Sequence, residues 1–256
     1  MIKFAVLGLG EAGSHFANDL AAAGMSVTGW DPAPKRELDP RVVFAASNLD
    51  AAAEADIIMS ANLSSVSEAI ALEVAPVLNA QKIYLEMNTS GPEMKQAIAV
   101  QLKSTGVAFV DLAIMAPVPP LGIKTPFLAS GPGAQTLAEK IAHLNWDLTE
   151  IGDEIGEAST RKLLRSIVYK GVAAVIVEAV AAAKAFGKEA YIRPQISSVI
   201  GGDESLIDRF LEGTFIHAER RMHEMEAVTK MLENVGIDPL MSKATMESLA
   251  KIIATR

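Results

Sequence analysis

The chain has no cysteine, four histidines and few aromatic residues, 5% of its 256 positions. Without cysteine, a disulfide framework and a thiolate metal site are excluded, and a reducing cytoplasm is the expected location. His15, His143, His217 and His223 show no metal-ligand spacing, so no metal is expected. Positive charge is also scarce. With 23 Lys and Arg against 31 Asp and Glu, the formal net charge is −8. A nucleic-acid partner, which would need a basic stripe, is therefore not expected. Long hydrophobic runs are missing as well. MIKFAVLGLG runs straight into a strand pattern with no signal-peptide features. The most apolar later segment, Gly171 to Ala183, carries Glu178 and falls short of the roughly 20 residues of a membrane span. No membrane partner is expected.

Half of the residues are hydrophobic, enough for a large core in one or two domains. The most informative stretch is AVLGLGEAGSHFANDLAAAG, residues 5 to 24. An apolar strand leads into Gly8, Gly10 and Gly13, and an amphipathic helix follows. In that context Gly8 makes a tight turn, Gly10 admits a pyrophosphate to backbone N–H groups, and Gly13 lets the helix lie close on the strand. Phosphates would sit on the helix N-terminus, against Leu9, Gly10, Glu11 and Ala12. Asp31 ends the next apolar run about 20 residues on, where a carboxylate holds a ribose diol. NAD is the expected cofactor; Lys35 and Arg36 lie close enough in sequence to leave NADP possible.

Up to about residue 155 short apolar strands alternate with helical patterns. Strands are expected at 2–7, 26–31, 42–45, 56–61, 82–87, 107–114, 126–130 and 147–151, and helices at 11–23, 48–54, 65–75, 92–104 and 133–143. This alternation predicts an α/β fold, a doubly wound Rossmann domain with a parallel sheet over residues 1–155. Beyond Gly156 the strand signal vanishes. Residues 157–187 read as one long helix stopped at Gly187, followed by helical stretches at about 203–235 and 241–254. Residues 156–256 are thus expected to form an all-α substrate and dimerisation domain, entered by the long helix. The all-round apolar segment Gly171 to Ala183 must be covered, so a homodimer or higher homo-oligomer is expected.

Candidates for chemistry cluster at the start of that helix, in GEASTRKLLRSIVYKG at 156–171. Lys162 and Ser166 are four residues apart and share a face. Tyr169 returns to it, while Leu163, Leu164, Ile167 and Val168 occupy the opposite arc. A lysine partly desolvated beside an oxidised nicotinamide would have its charged form disfavoured, as acid/base work requires. Asn62, Leu63 and Ser64 after one strand, and Asn88 and Thr89 after the next, lie where ligands meet a parallel sheet. Trp30 either flanks an adenine or packs in the core.

These motifs resemble those of the β-hydroxyacid dehydrogenase superfamily, which includes 3-hydroxyisobutyrate dehydrogenase and the cofactor domain of 6-phosphogluconate dehydrogenase. More closely, the chain is similar to a subgroup of phosphogluconate-dehydrogenase-like proteins of uncertain substrate. LGLGEAG matches the family's first motif, EMNTSGP at 86–92 its Asp-x-Ser-Thr-x-x-Pro segment, and residues 156–166 its catalytic helix Gly-x-Gly-x-x-x-Lys-x-x-x-Asn. The resemblance implies that Lys162 is the catalytic lysine and that Ser166 stands at the asparagine. It implies an oxidoreductase exchanging a hydride between nicotinamide and a small 3-hydroxy acid or its carbonyl counterpart.

The chain also departs from the family pattern. The substrate motif Asp-Ala-Pro-Val-Ser-Gly-Gly corresponds to DLAIMAP at 111–117, where only Asp111 is kept and Met115, Ala116 and Pro117 replace the donors. Proline has no N–H. The family's later Lys-Asp-Leu falls on His223, Glu224 and Met225. Met115, Ala116, Lys170 and His223 are therefore the candidate substrate contacts, with the cationic run His217, Arg220, Arg221 and His223 a possible substitute anchor. 6-Phosphogluconate is not the expected substrate. Reduction of an imine, or dinucleotide sensing without turnover, are the alternatives.

Overall fold

The computed structural model describes residues 1–34 and 36–255; Lys35, one of the two residues expected to weaken the choice of NAD, lies outside them. The chain divides into two compact units, Met1–Lys162 and Leu163–Arg256.

The first unit holds β1 (Lys3–Leu7), α1 (Glu11–Ala22), β2 (Ser26–Trp30), β3 (Val43–Phe44), α2 (Asn48–Ala53), β4 (Ile57–Ser60), α3 (Ser67–Val74), β5 (Ile83–Glu86), α4 (Pro92–Leu102), β6 (Ala108–Ile114), β7 (Phe127–Ser130), α5 (Ala134–Ile141) and β8 (Leu148–Glu150). The strands form one eight-stranded sheet in the order β3-β2-β1-β4-β5-β6-β7-β8. Both faces are covered because successive strand residues point to opposite sides. Phe4, Val6, Ile57, Met59, Ile83 and Leu85 pack with Phe16 and Leu20 of α1 in one core. Ala5, Leu7, Ile58 and Tyr84 pack with Ala71 and Val74 of α3 and Ile98 and Leu102 of α4 in the other. The order reverses between β1 and β4, the switch point at which open α/β sheets bind ligands.

One pairing departs from the expected parallel sheet: β7 runs antiparallel to β6, with Asp111 opposite Ser130 and Ile114 opposite Phe127. The connection between them contains Pro117, Pro119 and Pro120 and a single 3₁₀ turn at Gly122–Lys124. It has no crossover helix to carry the chain back to the same end, so the strand returns antiparallel.

Helix α6 (Glu157–Ala185) begins in the first unit and continues into the second. The second unit adds α7 (Glu189–Ile200), α8 (Glu204–Ile216), α9 (Ala218–Asn234) and α10 (Leu240–Ala254). Two expectations change here. The stretch 203–235 is two helices broken at His217, because the two segments serve different cores. Ile207 and Phe210 of α8 pack with Ala173, Ile176 and Val180 of α6, whereas Met225 and Val228 of α9 pack with Leu163, Leu249 and Ile252. Helix α7 was not expected from the sequence, since Pro194 sits inside it. Its Ile192, Ile196 and Ile200 stripe nevertheless joins the α6–α8 core.

Helix α6 also reverses the simple amphipathic expectation. Ser166 is buried, yet Leu164 and Val168 on the supposed packing arc are 49% and 67% exposed. The short apolar segment foreseen at Gly171 to Ala183 lies within a helix of 29 residues, which by length and composition alone is able to cross a membrane. Only 22% of its most apolar window is buried within the chain.

Candidate functional site

The glycine loop joins β1 to α1. Gly8 has φ +99°, and a Cβ there would meet the Ala61 carbonyl oxygen at 2.6 Å. At Gly13 a Cβ would lie 1.9 Å from the Gly8 carbonyl oxygen, so the helix can approach the strand only without a side chain. Gly10 is the opposite case: a Cβ there would meet nothing within 4 Å, so its surroundings are open. Gly10 caps α1, no side chain caps the helix, and Glu11 sits in its first turn. Open space above N–H groups that lack intrahelical acceptors suits a dinucleotide pyrophosphate.

Asp31 has a structural task that the spacing did not reveal. Its Oδ2 accepts from the Leu9 N–H at 2.8 Å, and its Oδ1 accepts from the Ala33 N–H at 2.8 Å. Leu9, expected among the phosphate donors, thus spends its N–H on Asp31 and buries its side chain over Gly29. Each carboxylate oxygen keeps a further lone pair for a ribose hydroxyl. Arg36 Nη2 lies 3.8 Å from Glu11 Oε2, both half exposed. Trp30 packs on Phe44, ring centroids 5.4 Å apart.

The expected polar residues after β4 and β5 do meet. Asn88 Nδ2 donates to Asn62 Oδ1 at 3.1 Å and to Ser60 Oγ at 3.3 Å, while Asn62 Nδ2 donates to Ser60 Oγ at 3.0 Å. Leu63 is exposed. Beside this network, Lys162 Nζ donates to Thr89 Oγ1 at 2.7 Å. The lysine of α6 therefore reaches the carboxyl edge of the sheet, one strand beyond the switch point.

Beneath Thr89 lies a cluster that sequence reasoning missed. Lys95 is fully buried on α4; its Nζ donates to the carbonyls of Glu86 at 2.9 Å and Asn88 at 2.7 Å. It is 3.3 Å from Glu86 Oε1 and 3.5 Å from Asp111 Oδ1. Glu86 Oε1 also accepts from the Asn88 N–H at 3.1 Å. Asp111, retained from the substrate motif, is itself fully buried and takes the Ser159 N–H at 2.9 Å and the Ser159 hydroxyl at 2.7 Å. It anchors the first turn of α6. The cluster bonds the residue before Thr89, through both backbone groups of Asn88, and the turn of α6 before Lys162, through Ser159. Lys95 shares its helix stripe with Ile98 and Leu102, the one sequence signal that it points inward.

Met115 and Ala116 are half-buried after β6. The Met115 N–H goes to the Pro126 carbonyl at 2.9 Å and Pro117 has none, so this loop does not rebuild the family's three donors.

In the helical unit, Ser166 donates to Glu224 Oε1 and accepts from Lys170 Nζ at 3.2 Å, and Lys170 Nζ is 2.7 Å from Glu224 Oε1. Burial pushes the Lys170 amine below its ordinary range, with Glu224 opposing that shift. His223, proposed beside them, turns outward instead: its Nδ1 lies 3.0 Å from Glu226 Oε2 at the surface. One step along α9, Arg221 is buried and Glu224 faces α6, so the helix presents those two residues rather than His223.

Residues 3–118 match the family model for the NAD binding domain of 6-phosphogluconate dehydrogenase, and residues 183–252 match a domain of unknown function, DUF1932. A conserved hypothetical protein from Sinorhizobium meliloti 1021 is 30% identical, with 98% of this chain and 88% of that one covered and a TM-score of 0.76. A conserved protein of unknown function, described as structurally similar to 3-hydroxyacid dehydrogenases, is 27% identical with a TM-score of 0.75, covering 98% of this chain and 96% of that one. The 3-hydroxyisobutyrate dehydrogenase of Mycobacterium tuberculosis shares the fold at 18% identity, with a TM-score of 0.79 and coverage of 99% and 94%. With a nicotinamide-dinucleotide domain, a helical second unit and these relatives, the chain belongs to the β-hydroxyacid dehydrogenase superfamily of NAD(P)-dependent oxidoreductases.

Proposed function

We propose that the protein catalyses hydride exchange between a nicotinamide dinucleotide and a small 3-hydroxy acid or its carbonyl counterpart, with Lys162 as the group that moves the hydroxyl proton. The observation that carries this reading is the Lys162–Thr89 contact at the carboxyl edge of the sheet, on the far side of the Asn62–Asn88 network from the glycine loop. The nicotinamide, when bound, supplies the hydride chemistry. Lys162 takes the proton from the substrate hydroxyl during oxidation and returns it during reduction. Thr89 holds the amine in place, and the Ser159–Asp111 bonds fix the helix turn that carries it. Gly10, Glu11 and Ala12 offer backbone donors to the pyrophosphate, and Asp31 offers acceptors to the ribose.

NAD is the preferred cofactor in this reading. Asp31 at the end of β2 would repel a 2′-phosphate, and Arg36, which could attract one, faces Glu11. Fluorescence titration with NADH and NADPH tests it; tighter NADPH binding rejects the preference. The reaction is tested by nicotinamide absorbance change with a panel of short 3-hydroxy acids, the corresponding aldehyde and keto acids, cyclic imines and 6-phosphogluconate. Turnover confined to hydroxy acids and their carbonyl partners supports the proposal. Turnover of imines alone, or tight NADH binding with no turnover, overturns it.

A further inference from the structure

An ammonium group has three hydrogens to place, and the fully buried Lys95 directs all of them at the end of β5 and the loop after it. Its Nζ donates to the carbonyls of Glu86 at 2.9 Å and Asn88 at 2.7 Å, and to Glu86 Oε1 at 3.3 Å. The Asn88 carbonyl belongs to the peptide unit that leads into Thr89. Holding that planar unit by its oxygen fixes the direction in which the chain enters Thr89. Asp111 stands across the same ammonium, its Oδ1 3.5 Å from Nζ, and bonds both the N–H and the hydroxyl of Ser159. Ser130, opposite Asp111 in the sheet, accepts from the Ala158 N–H at 3.0 Å, so two neighbouring strands hold two successive N–H groups of α6. A Cβ at Gly156 would lie 2.7 Å from Pro92 Cβ, which brings the start of α6 against the first residue of α4, the helix that carries Lys95. Lys162 follows Ser159 at i+3, on the same side of the helix and about 4.5 Å along its axis.

Stability alone explains such a lysine poorly. Replacing a whole buried ion pair by well-packed apolar side chains is often neutral or stabilising, so the burial of these three charges is not its own reason. What the ammonium supplies and an apolar side chain cannot is direction. The Thr89 loop and the Ser159 turn are both referred to one point, and they are joined a second time where Lys162 Nζ donates to Thr89 Oγ1. We propose that Lys95 is a positioning residue for the Lys162 amine: it ties the loop that carries Thr89 to the carboxylate that holds the turn before Lys162, and so sets where that amine stands. The proposal rests on the reading of Lys162 as the proton-transfer group, and all of these residues belong to the first unit. A misplacement of about 1 Å at a reacting group can cost on the order of 10²-fold in rate, so a buried cation governs the step without touching substrate.

A double-mutant cycle separates positioning from general support of the fold. With the substrate found in the panel, kcat of the full chain is measured for wild type, Lys95→Met, Lys162→Met and the two together. Expected is a loss of about tenfold to 10²-fold in Lys95→Met, and no further loss when position 162 is already Met. Equal losses in both backgrounds, the behaviour of a merely structural lysine, overturn the proposal, as does an unchanged kcat in Lys95→Met. Should Lys95→Met fail to fold, Lys95→Met combined with Glu86→Gln, which removes one charge of each sign and keeps the acceptor at position 86, takes its place in both measurements. Wild-type kcat in that variant overturns the proposal. Pulse acetylation with acetic anhydride, quantified at each lysine by mass spectrometry, gives a reading that needs no turnover. Relative to the exposed Lys103, Lys162 should react about threefold to tenfold faster in Lys95→Met, as in Thr89→Ala, because either change loosens the amine. Labelling of Lys162 at the wild-type rate in Lys95→Met overturns the proposal. Faster labelling in a chain with no turnover, or in one whose kcat ignores Lys162→Met, would leave the amine positioned by Lys95 and remove its part in proton transfer.

Discussion

Lys162 Nζ and Thr89 Oγ1, 73 positions apart in sequence, stand 2.7 Å apart. The contact ties the first turns of α6 to the loop after β5, and it places an amine where a parallel sheet presents its ligands. Lys162→Met is expected to lower kcat by about 10²- to 10⁴-fold, the usual contribution of a positioned acid or base. Thr89→Ala is expected to cost less, about threefold to tenfold, since it removes one hydrogen bond that aims the amine. NADH affinity should hardly change in Lys162→Met, because the glycine loop and Asp31 are untouched. Steady-state kinetics on the substrate found in the panel, with NADH titrations alongside, check all three. An unchanged kcat in Lys162→Met removes the lysine from the mechanism.

The Lys95–Glu86–Asp111 cluster predicts a stability effect rather than a direct chemical one. Removing the cation leaves two fully buried carboxylates facing each other without a counter-charge. Lys95→Met should therefore cost about 3 to 5 kcal/mol in urea unfolding, the usual penalty for breaking a buried ion pair from one side. Glu86→Gln keeps an acceptor at Oε1 and should cost less. A loss below about 1 kcal/mol for Lys95→Met would mean that the carboxylates find other partners.

The uneven legibility of this chain has physical causes. The requirements on Gly8 and Gly13 are local, set by one backbone turn and one close approach, so their spacing already carried them into the right loop. The two cores of the sheet were similarly written in the strand runs. The bond by which Asp31 holds the Leu9 N–H was not, because a spacing rule records only which residue type is needed and not what it bonds. Lys95 was missed because its partners come from β5 and β6: its place on the stripe with Ile98 and Leu102 says that it points inward but not which carboxylates meet it. The break at His217 is set by α8 and α9 packing into separate clusters, again a non-local choice. Motif alone singled out Lys162 as a candidate, whereas the burial of Ser166 and Arg221 and the outward turn of His223 required the helices around them.

Lys170 gives a pH signature. Its folded value is lowered from 10.5, chiefly by burial. Between that lowered value and 10.5 the unfolded chain binds more protons at this site than the folded chain, so stability from this group rises with pH across that window. Below the window both states are protonated and the full cost of burying the charge is felt. Lys82 shifts in the same direction through burial, while burial and Glu86 raise the Tyr84 hydroxyl, which reverses the trend at higher pH. The comparison therefore belongs below pH 10. Urea unfolding of wild type at pH 8.0, 8.75 and 9.5 should show a steeper rise than Lys170→Met, with Lys82 common to both. Parallel slopes would place the Lys170 amine in a solvated environment.

Helix α6 leaves an apolar stripe uncovered. Leu164, Val168 and Val175 are exposed at spacings that return to one side of a helix, and Phe215 and Ile216 of α8 are exposed as well. Val177, Val180, Ala181 and Leu211 line a groove that continues to those two residues. A surface of this kind is stabilised when covered, by about 25 cal/mol for each Å² of apolar area removed from water. The cover we expect is a second copy of the chain. By length and composition alone the same helix could cross a membrane, but Arg161, Lys162 and Arg165 crowd its first turns, and Lys162 is occupied with Thr89. Light scattering at low micromolar concentration should give the mass of a dimer or a higher oligomer. Val168→Glu combined with Val175→Glu should shift it to the monomer, since two carboxylates would then have to be desolvated at the contact. A monomeric wild type, or an oligomer indifferent to both substitutions, would place the contact elsewhere. Sedimentation of the wild type with neutral lipid vesicles, and not in their absence, would assign the stripe to a membrane surface instead.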